Sequence, residues 1–189
     1  MLSFISSLGS DCDALAIFVT EKYEYKGKKD PLPNSTVQKI NSFLSILKRK
    51  KSEEDISFFD ISDGQKCFVI KTKSKFESHW PQEKGGSFFS YLKKFKDIKK
   101  VCLYPDSLDF DKEKLESFFS QFIFGLYLKS YTFNKYKTLN KEKVNKKIDF
   151  KIITKNKEKI EKKYKYYNTI KEGVFLTRDL VSEPPNVLN

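Results

Sequence analysis

The stretch ALAIFVT, from Ala14 to Thr20, is a continuous apolar run between two polar segments, and it decides the fold class. A short apolar run with these bounds predicts a buried strand. Further strands are predicted outward along the chain, at DISFFDI (Asp55 to Ile61), KCFVIK (Lys66 to Lys71), IKKVCLY (Ile98 to Tyr104) and IDFKIIT (Ile148 to Thr154). The first two of these flank the turn residues Asp63-Gly64, which predicts a hairpin.

Segments with helical periodicity lie between the predicted strands. The S-x-x-Q pattern of Ser35 and Gln38 predicts a capping box at the start of a helix. Its apolar stripe is Val37, Ile40, Leu44 and Leu47. The stretch from Thr72 to Gly86 is predicted as a loop, followed by a helix from Ser87 to Asp97. The clearest periodicity predicts a helix from Lys112 to Lys129, and a last helix is predicted from a cap at Asn156 to about Ser182.

Strands that alternate with helices predict an α/β fold, a three-layer sandwich in which a mixed sheet is flanked by helices on both faces. We expect residues 1–154 to form this domain and residues 155–189 to form a linker helix and the start of a further domain. The final residues, Asn186-Val187-Leu188-Asn189, follow a Pro-Pro stop and are apolar and extended in character. This pattern is expected of a chain that continues into another domain.

Composition excludes several classes of protein. The 189 residues are 39% hydrophobic and 15% aromatic, which excludes a disordered chain because disordered segments are poor in aromatic residues. No apolar run approaches the roughly 18 residues of a membrane span. The cysteines Cys12, Cys67 and Cys102 lie far apart, are odd in number and form no C-x-x-C pair, which excludes a disulfide framework and a cysteine zinc site. We therefore expect a reduced, cytoplasmic protein.

The net charge of +12 raises nucleic-acid binding as a hypothesis. Of the 37 basic residues only Arg49 and Arg178 are arginine, the residue that binds phosphate and guanine bidentately. The abundance of Lys, Phe, Tyr, Ile and Asn is instead typical of an AT-rich genome. The run from Lys135 to Lys165 holds 13 lysines among aromatic residues, a composition found in single-strand binders, although a solvated helix face and connector is the preferred interpretation.

Residues that could carry chemistry each have a simpler structural interpretation. The single histidine, His79, has no partner at metal-ligand spacing, and a nucleophilic cysteine would need an activating base beside it. We interpret the other candidates as a solvated turn (Asp11 and Asp13), helix-capping residues (Asp106, Asp109 and Asp111), small buried side chains (Cys67 and Cys102) and a plain turn rather than an anion nest (Gly85-Gly86). The sequence therefore predicts no catalytic, metal-binding or cofactor-binding residue.

The segment EGVFLTRDLVSEPPNVL, from Glu172 to Leu188, carries a resemblance to a known family. It resembles the helix and turn that link the two domains of leucyl aminopeptidases, the cytosol aminopeptidase family, whose pattern there is G-x-x-L-A-R-D-L-x-N-x-P-x-N. Thr177 and Ser182 depart mildly from the commoner Ala and Asn. The residues that match are Gly173, Leu176, Arg178, Asp179, Leu180, Pro184 or Pro185, and Asn186.

The resemblance implies the N-terminal domain of a leucyl aminopeptidase, macrodomain-like in fold and truncated before the catalytic domain. The parent enzyme, a metalloaminopeptidase, would remove N-terminal amino acids, preferentially leucine, from peptides with two divalent metals, manganese or zinc, and would form hexamers. The family's metal-binding and catalytic residues lie in its C-terminal domain, so none is carried over onto this chain. Arg178 and Asp179 fall in the linker helix, where we expect a structural ion pair.

The resemblance does not by itself define what this N-terminal domain does. We expect it to shape oligomer contacts and access to the active site of the parent enzyme. The alternative is a nucleic-acid-binding or regulatory module that uses the lysine-rich surface. A stand-alone macrodomain-like binder of a nucleotide-type ligand is a third hypothesis, disfavoured because the chain has only 7 glycines.

Overall fold

The ALAIFVT run lies inside a six-stranded mixed sheet. A computed structural model describes residues 2–9, 11–27, 31–136 and 147–184. These residues form the strands β1 (Ser3–Ile5), β2 (Ala14–Thr20), β3 (Ile56–Ser62), β4 (Gln65–Thr72), β5 (Lys100–Tyr104) and β6 (Asp149–Ile153). They also form the helices α1 (Asn34–Arg49), α2 (Trp80–Leu92), α3 (Lys112–Ser130) and α4 (Lys157–Ser182) and a 3-10 turn, Pro105–Ser107. The predicted α/β class is confirmed.

The sheet order is β1-β6-β5-β2-β4-β3, which places the predicted first strand between β5 and β4. Strand β2 pairs in parallel with both neighbours, and Leu15 lies opposite Cys67 on one side and Cys102 on the other. Strands β3 and β4 pair antiparallel around Gly64, whose φ of +80° suits glycine. The predicted hairpin is therefore confirmed. Strand β1 was missed because three residues are too few to show a period.

Alternate residues of β2 enter two separate cores, which defines three layers. Leu15 and Ile17 pack on the face covered by α1, in a cluster that includes Ile40, Leu44 and Leu47. Phe18 packs on the opposite face, against α2, α3 and α4, where its ring lies 5.0 Å from that of Phe122. The three-layer sandwich is thus as predicted, and the residues that the structure describes place one helix on one face of the sheet and three on the other.

The largest difference from the prediction is the start of α2. The sequence predicts a loop from Thr72 to Gly86, but α2 begins at Trp80 and ends at Leu92. The glycine pair therefore lies inside a helix and not in a turn. At Gly85 an added Cβ would lie 2.0 Å from the carbonyl oxygen of Phe122 on α3, and at Gly125 it would lie 1.8 Å from that of Gln82 on α2. Glycine is needed at both positions because the two helix backbones touch.

Two predicted caps differ in outcome. The predicted capping box of Ser35 and Gln38 is wrong, because the residue at the N-cap of α1 is Pro33, two positions before Ser35, and α1 has no side-chain cap bond. Helix capping by the acidic segment is confirmed for Asp111, which accepts a hydrogen bond of 2.9 Å from the backbone N–H of Lys114.

The expectation of a reduced protein needs a correction. Cys12 and Cys102 are joined by a disulfide, with a Cα–Cα distance of 6.3 Å and a sequence separation of 90. The sequence separation concealed this pairing, because only the parallel pairing of β2 with β5 brings the two segments together. Cys67 remains a buried free thiol, and burial raises its pKa. No helix in the described part of the chain is both long enough and apolar enough to cross a membrane.

Candidate functional site on the last helix

The residues that carry the family resemblance lie in the second half of α4, which emerges from the core. In the first half, Ile160 and Tyr164 are buried in the core that contains Phe18. Beyond Tyr164 no described residue of α4 is buried. Large apolar side chains instead face solvent, at exposed fractions of 61% for Leu176 and 82% for Val181. Exposed apolar side chains grouped on one element mark a surface for protein contacts.

Tyr131, at the C-terminal end of α3, fixes the direction of this half of α4. Its hydroxyl donates a hydrogen bond of 2.7 Å to Asp179 Oδ1, and the guanidinium of Arg178 lies 5.4 Å from its ring centroid. Arg178 Nη1 also donates to the carbonyl oxygen of Leu128 at 2.9 Å, and the ring of Phe175 lies 5.0 Å from that of Tyr131. Four contacts therefore hold the exposed helix to the body of the domain.

The expected ion pair of Arg178 and Asp179 needs a correction. Among the described residues neither side chain forms an ion pair, and each instead contacts Tyr131. Because adjacent residues on a helix point in different directions, the two charges reach the tyrosine from two sides and not each other. Both motif residues thus have a structural role, although a different one from that expected.

The end of α4 is held by a second set of polar contacts. Glu183 accepts a hydrogen bond of 2.7 Å from Lys135 Nζ and a further one from the hydroxyl of Tyr136. The hydrogen bonds from Lys135 and Tyr136 lower the pKa of Glu183, and the bond to Glu183 raises that of Lys135. A groove of about 590 Å³ lies between Tyr131 and this half of α4, lined in part by Ile170, Gly173 and Val181. The residues after 184, which include Pro185 and Asn186 of the motif, lie outside the described part of the chain.

The acidic residues and the histidine that were considered as possible metal ligands form structural or surface contacts. Asp13 Oδ2 accepts from the backbone N–H groups of Lys99 and Lys100, at 2.7 and 2.8 Å, and so ties the start of β2 to β5. Asp11 pairs with Lys151. His79 is more than half exposed, between two glutamates on the surface. Within the described ranges no group of three or more His, Cys, Asp or Glu side chains could hold a metal ion. That the chain holds no catalytic residue stays a prediction.

The lysine-rich run from Lys135 to Lys165 is only partly described, since residues 137–146 lie outside the described ranges. Where it is described, several lysines have intramolecular partners. Lys159 lies 3.6 Å from Glu116 and Lys157 lies 5.5 Å from the ring of Phe4. These contacts fit the interpretation of a solvated helix face.

A cleft at the carboxyl edge of the sheet is a further feature that no motif indicated. It has a volume of about 820 Å³ and lies where β1, β5 and β6 end. Its walls come from segments that are far apart in sequence. The only available signal was that polar residues follow β5 and β6, at Asp106 and Thr154.

Comparisons with known proteins agree with the sequence resemblance. No protein-family model matches the chain. A probable cytosol aminopeptidase of Agrobacterium fabrum is 29% identical over 195 residues, and one of Phytoplasma mali is 31% identical over 198 residues. Each alignment covers 99% of this chain but 38% of the relative, so the chain spans less than half the length of the curated relatives that it matches.

Two solved structures are similar to the fold. A mutant of tomato leucine aminopeptidase matches with a TM-score of 0.69 at 20% identity, covering 100% of this chain and 40% of that one. The macrodomain of Thermus aquaticus DarG matches with a TM-score of 0.51 at 11% identity, covering 82% of this chain and 98% of that one. At these identities the likeness concerns the fold alone, and it confirms a macrodomain-like sandwich. Together with the sequence similarity along nearly its whole length, this makes the chain a homologue of the N-terminal part of the cytosol aminopeptidases.

Proposed function

We propose that this chain is the non-catalytic N-terminal domain of a cytoplasmic leucyl aminopeptidase. Residues 1–154 form the macrodomain-like domain, and residues 155–189 lead into a C-terminal catalytic domain. The observation that carries the proposal is the coverage, because relatives named cytosol aminopeptidases match 99% of the chain while the chain spans only 38% of their length.

The surface of α4 supports the contact with that catalytic domain. Leu176, Leu180 and Val181 are all about half exposed or more, although they fall in a helix that is anchored through Tyr131. An apolar surface on a fixed helix gains free energy when another domain covers it. The contacts of Arg178 and Asp179 with Tyr131 keep this surface in one orientation, as docking requires. The C-terminal domain is thus the proposed occupant.

The hydrolytic chemistry is assigned to the C-terminal domain. The parent would remove N-terminal amino acids, preferentially leucine, from peptides with two divalent metals such as manganese or zinc. The residues described here do not fit a two-metal site, because none of their acidic, histidine and cysteine side chains group in the number needed. The role left for this chain is to support assembly of a hexamer and to shape access of peptides to the active site.

An activity assay tests the non-catalytic role. The purified 189-residue chain is incubated with leucine p-nitroanilide and with Mn²⁺ or Zn²⁺, beside a mock purification from the same host. We expect no release of nitroaniline above the mock preparation. Hydrolysis that requires added metal, and that is absent from the mock preparation, would contradict the proposal.

A further inference from the structure

Strand β3 (Ile56–Ser62) forms one edge of the sheet, and among the described residues only β4 pairs with it. An edge strand presents a row of backbone N–H and C=O groups that can pair with another chain. We propose that two copies of this chain associate through β3, with the two strands antiparallel and related by a two-fold axis at Phe58. The contact does not depend on the aminopeptidase assignment.

Alternate residues of β3 direct their backbone groups away from the sheet. In an antiparallel pair, residues that exchange hydrogen bonds with the partner strand alternate with residues whose N–H and C=O groups face the other way. The N–H of Lys71 donates to the carbonyl oxygen of Asp55 at 2.9 Å, which fixes the alternation between β3 and β4. The N–H of Lys66 donates instead to Asp13 beside β2 at 3.0 Å, as the same alternation requires. The outward residues of β3 are therefore Ile56, Phe58 and Asp60, and no described residue is hydrogen-bonded to their outward backbone groups.

The β3 edge lacks the features that usually prevent pairing. Native edge strands are commonly very short or carry lysine or proline. The opposite edge of the sheet, β1, has three residues, whereas β3 has seven, ISFFDIS, with neither lysine nor proline. An irregularity between Asp60 and Ser62 confines regular pairing to the part of β3 before it. The stretch from Ile56 to Asp60 is thus an edge open to another strand.

Aromatic rings border this edge on both faces of the sheet. On one face, the ring of Phe58 lies 4.9 Å from that of Phe95, and Phe58 is 38% exposed. On the other face, the half-buried ring of Phe59 lies 4.7 Å from that of Phe43 on α1. A strand added beside β3 would cover the exposed parts of Phe58 and Phe59. Burial of this apolar surface would add to the free energy gained from the backbone hydrogen bonds.

A second copy of β3 is the occupant that this edge favours, because the strand is complementary to itself. With the axis at Phe58, the two Phe58 side chains lie opposite each other, and Ile56 of each copy lies opposite Asp60 of the other. Each outward residue would exchange backbone hydrogen bonds with the other copy, and a cross-strand aromatic pair would form at the centre. Asp60, the single charged residue of the strand, is paired with Lys66 at 2.5 Å. The two strands can therefore meet without like charges opposite each other.

The proposed contact lies away from the surface assigned to the catalytic domain. Helix α4 packs on the β6 side of the sheet, where the ring of Tyr164 lies 6.1 Å from that of Tyr127, and Tyr127 lies 6.2 Å from Phe150 of β6. Strands β6 and β3 are four strand spacings apart, about 19 Å. Association through β3 and docking of the catalytic domain on α4 can therefore fail separately.

Sedimentation velocity of the full 189-residue chain, from about 1 µM to about 1 mM, tests the proposal. Pairing of two short strands is a small contact, so we expect a weak dimer with a dissociation constant on the order of 100 µM. Phe58→Lys removes the central aromatic pair and places two ammonium groups opposite each other. This variant should weaken association by about tenfold.

The matched control is Tyr166→Lys, which replaces a 68% exposed aromatic side chain on α4 and should leave the dissociation constant within about twofold of the unchanged protein. An equimolar mixture of Phe58→Lys and Phe58→Glu tests the two-fold axis. The mixture should associate at least about fivefold more tightly than Phe58→Lys alone, because opposite charges then face each other.

Four results would overturn the proposal: a monomer throughout the concentration series, association that Phe58→Lys leaves unchanged, an equal loss in Tyr166→Lys, or no recovery in the mixture. Far-UV circular dichroism of each variant shows whether its fold is intact.

Discussion

The contact between α2 and α3 depends on glycine, and substitution of Gly125 by alanine tests this directly. The new Cβ would lie 1.8 Å from the carbonyl oxygen of Gln82, whereas unstrained non-bonded contacts involving carbon are about 3.5 Å or longer. The helices would have to separate by more than an ångström, in a core where Phe88 and Phe122 pack between them and β2.

Strain of this kind costs about 1–3 kcal/mol and occasionally more, while alanine itself favours a helix over glycine by about 1 kcal/mol. With a backbone oxygen as the obstacle the upper part of that range applies, so we expect Gly125→Ala to lower the free energy of unfolding by about 2 kcal/mol. For a chain of this length that corresponds to a melting temperature lower by about 4–8 °C.

Urea unfolding followed by far-UV circular dichroism measures the effect, and Gly86→Ala is the matched control. The Cβ at Gly86 would lie 3.7 Å from the nearest backbone oxygen, an ordinary contact, so this variant should gain about 0.5–1 kcal/mol. A Gly125→Ala protein as stable as the original would refute the close approach of the helices. Equal destabilisation by Gly86→Ala would show that loss of glycine, and not the approach, causes the effect.

Three further predictions concern the cysteines, the buried tyrosines and the exposed helix. Unreduced protein in denaturant should show one titratable thiol per chain, and three after reduction, because Cys12 and Cys102 are bonded; three before reduction would refute the bond. Burial raises the pKa of Tyr25 and Tyr164 above the usual 10.0. The free energy of unfolding should therefore be highest below about pH 10 and should fall above it, because the unfolded tyrosines ionise first. A free energy of unfolding that stays constant up to about pH 12 would contradict this. Leu180→Ser should change the free energy of unfolding by less than about 0.5 kcal/mol, whereas Tyr164→Ala should lose about 3 kcal/mol; equal losses in urea unfolding would show that Leu180 is not exposed.

Local patterns were sufficient to predict most of the fold. The apolar run of β2 and the 3.6-residue period of α3 are signals within one segment, and both elements have the predicted positions. The start of α2 was not predictable in this way, because Gly85-Gly86 is a typical turn sequence. The need for glycine at Gly85 comes from the backbone of Phe122, which lies on another helix.

The candidate surfaces were predictable only in part. The segment around Arg178 and Asp179 was identified by its resemblance, but its partner Tyr131 lies more than 40 residues earlier and has no signature. The cleft at the sheet edge unites residues from the start, middle and end of the chain, such as Lys26 and Lys155. Which segments meet at this edge depends on the order of the strands in the sheet, and a single sequence does not reveal that order.

The proposal that this chain is the N-terminal domain of an aminopeptidase is tested most directly by sequencing its gene beyond the codon for Asn189. We predict that the reading frame stays open for the remaining three fifths of the length of its relatives and encodes a cluster of metal-binding Lys, Asp and Glu residues. A stop codon directly after Asn189 would contradict the proposal and would require that this domain functions without a catalytic partner on the same chain.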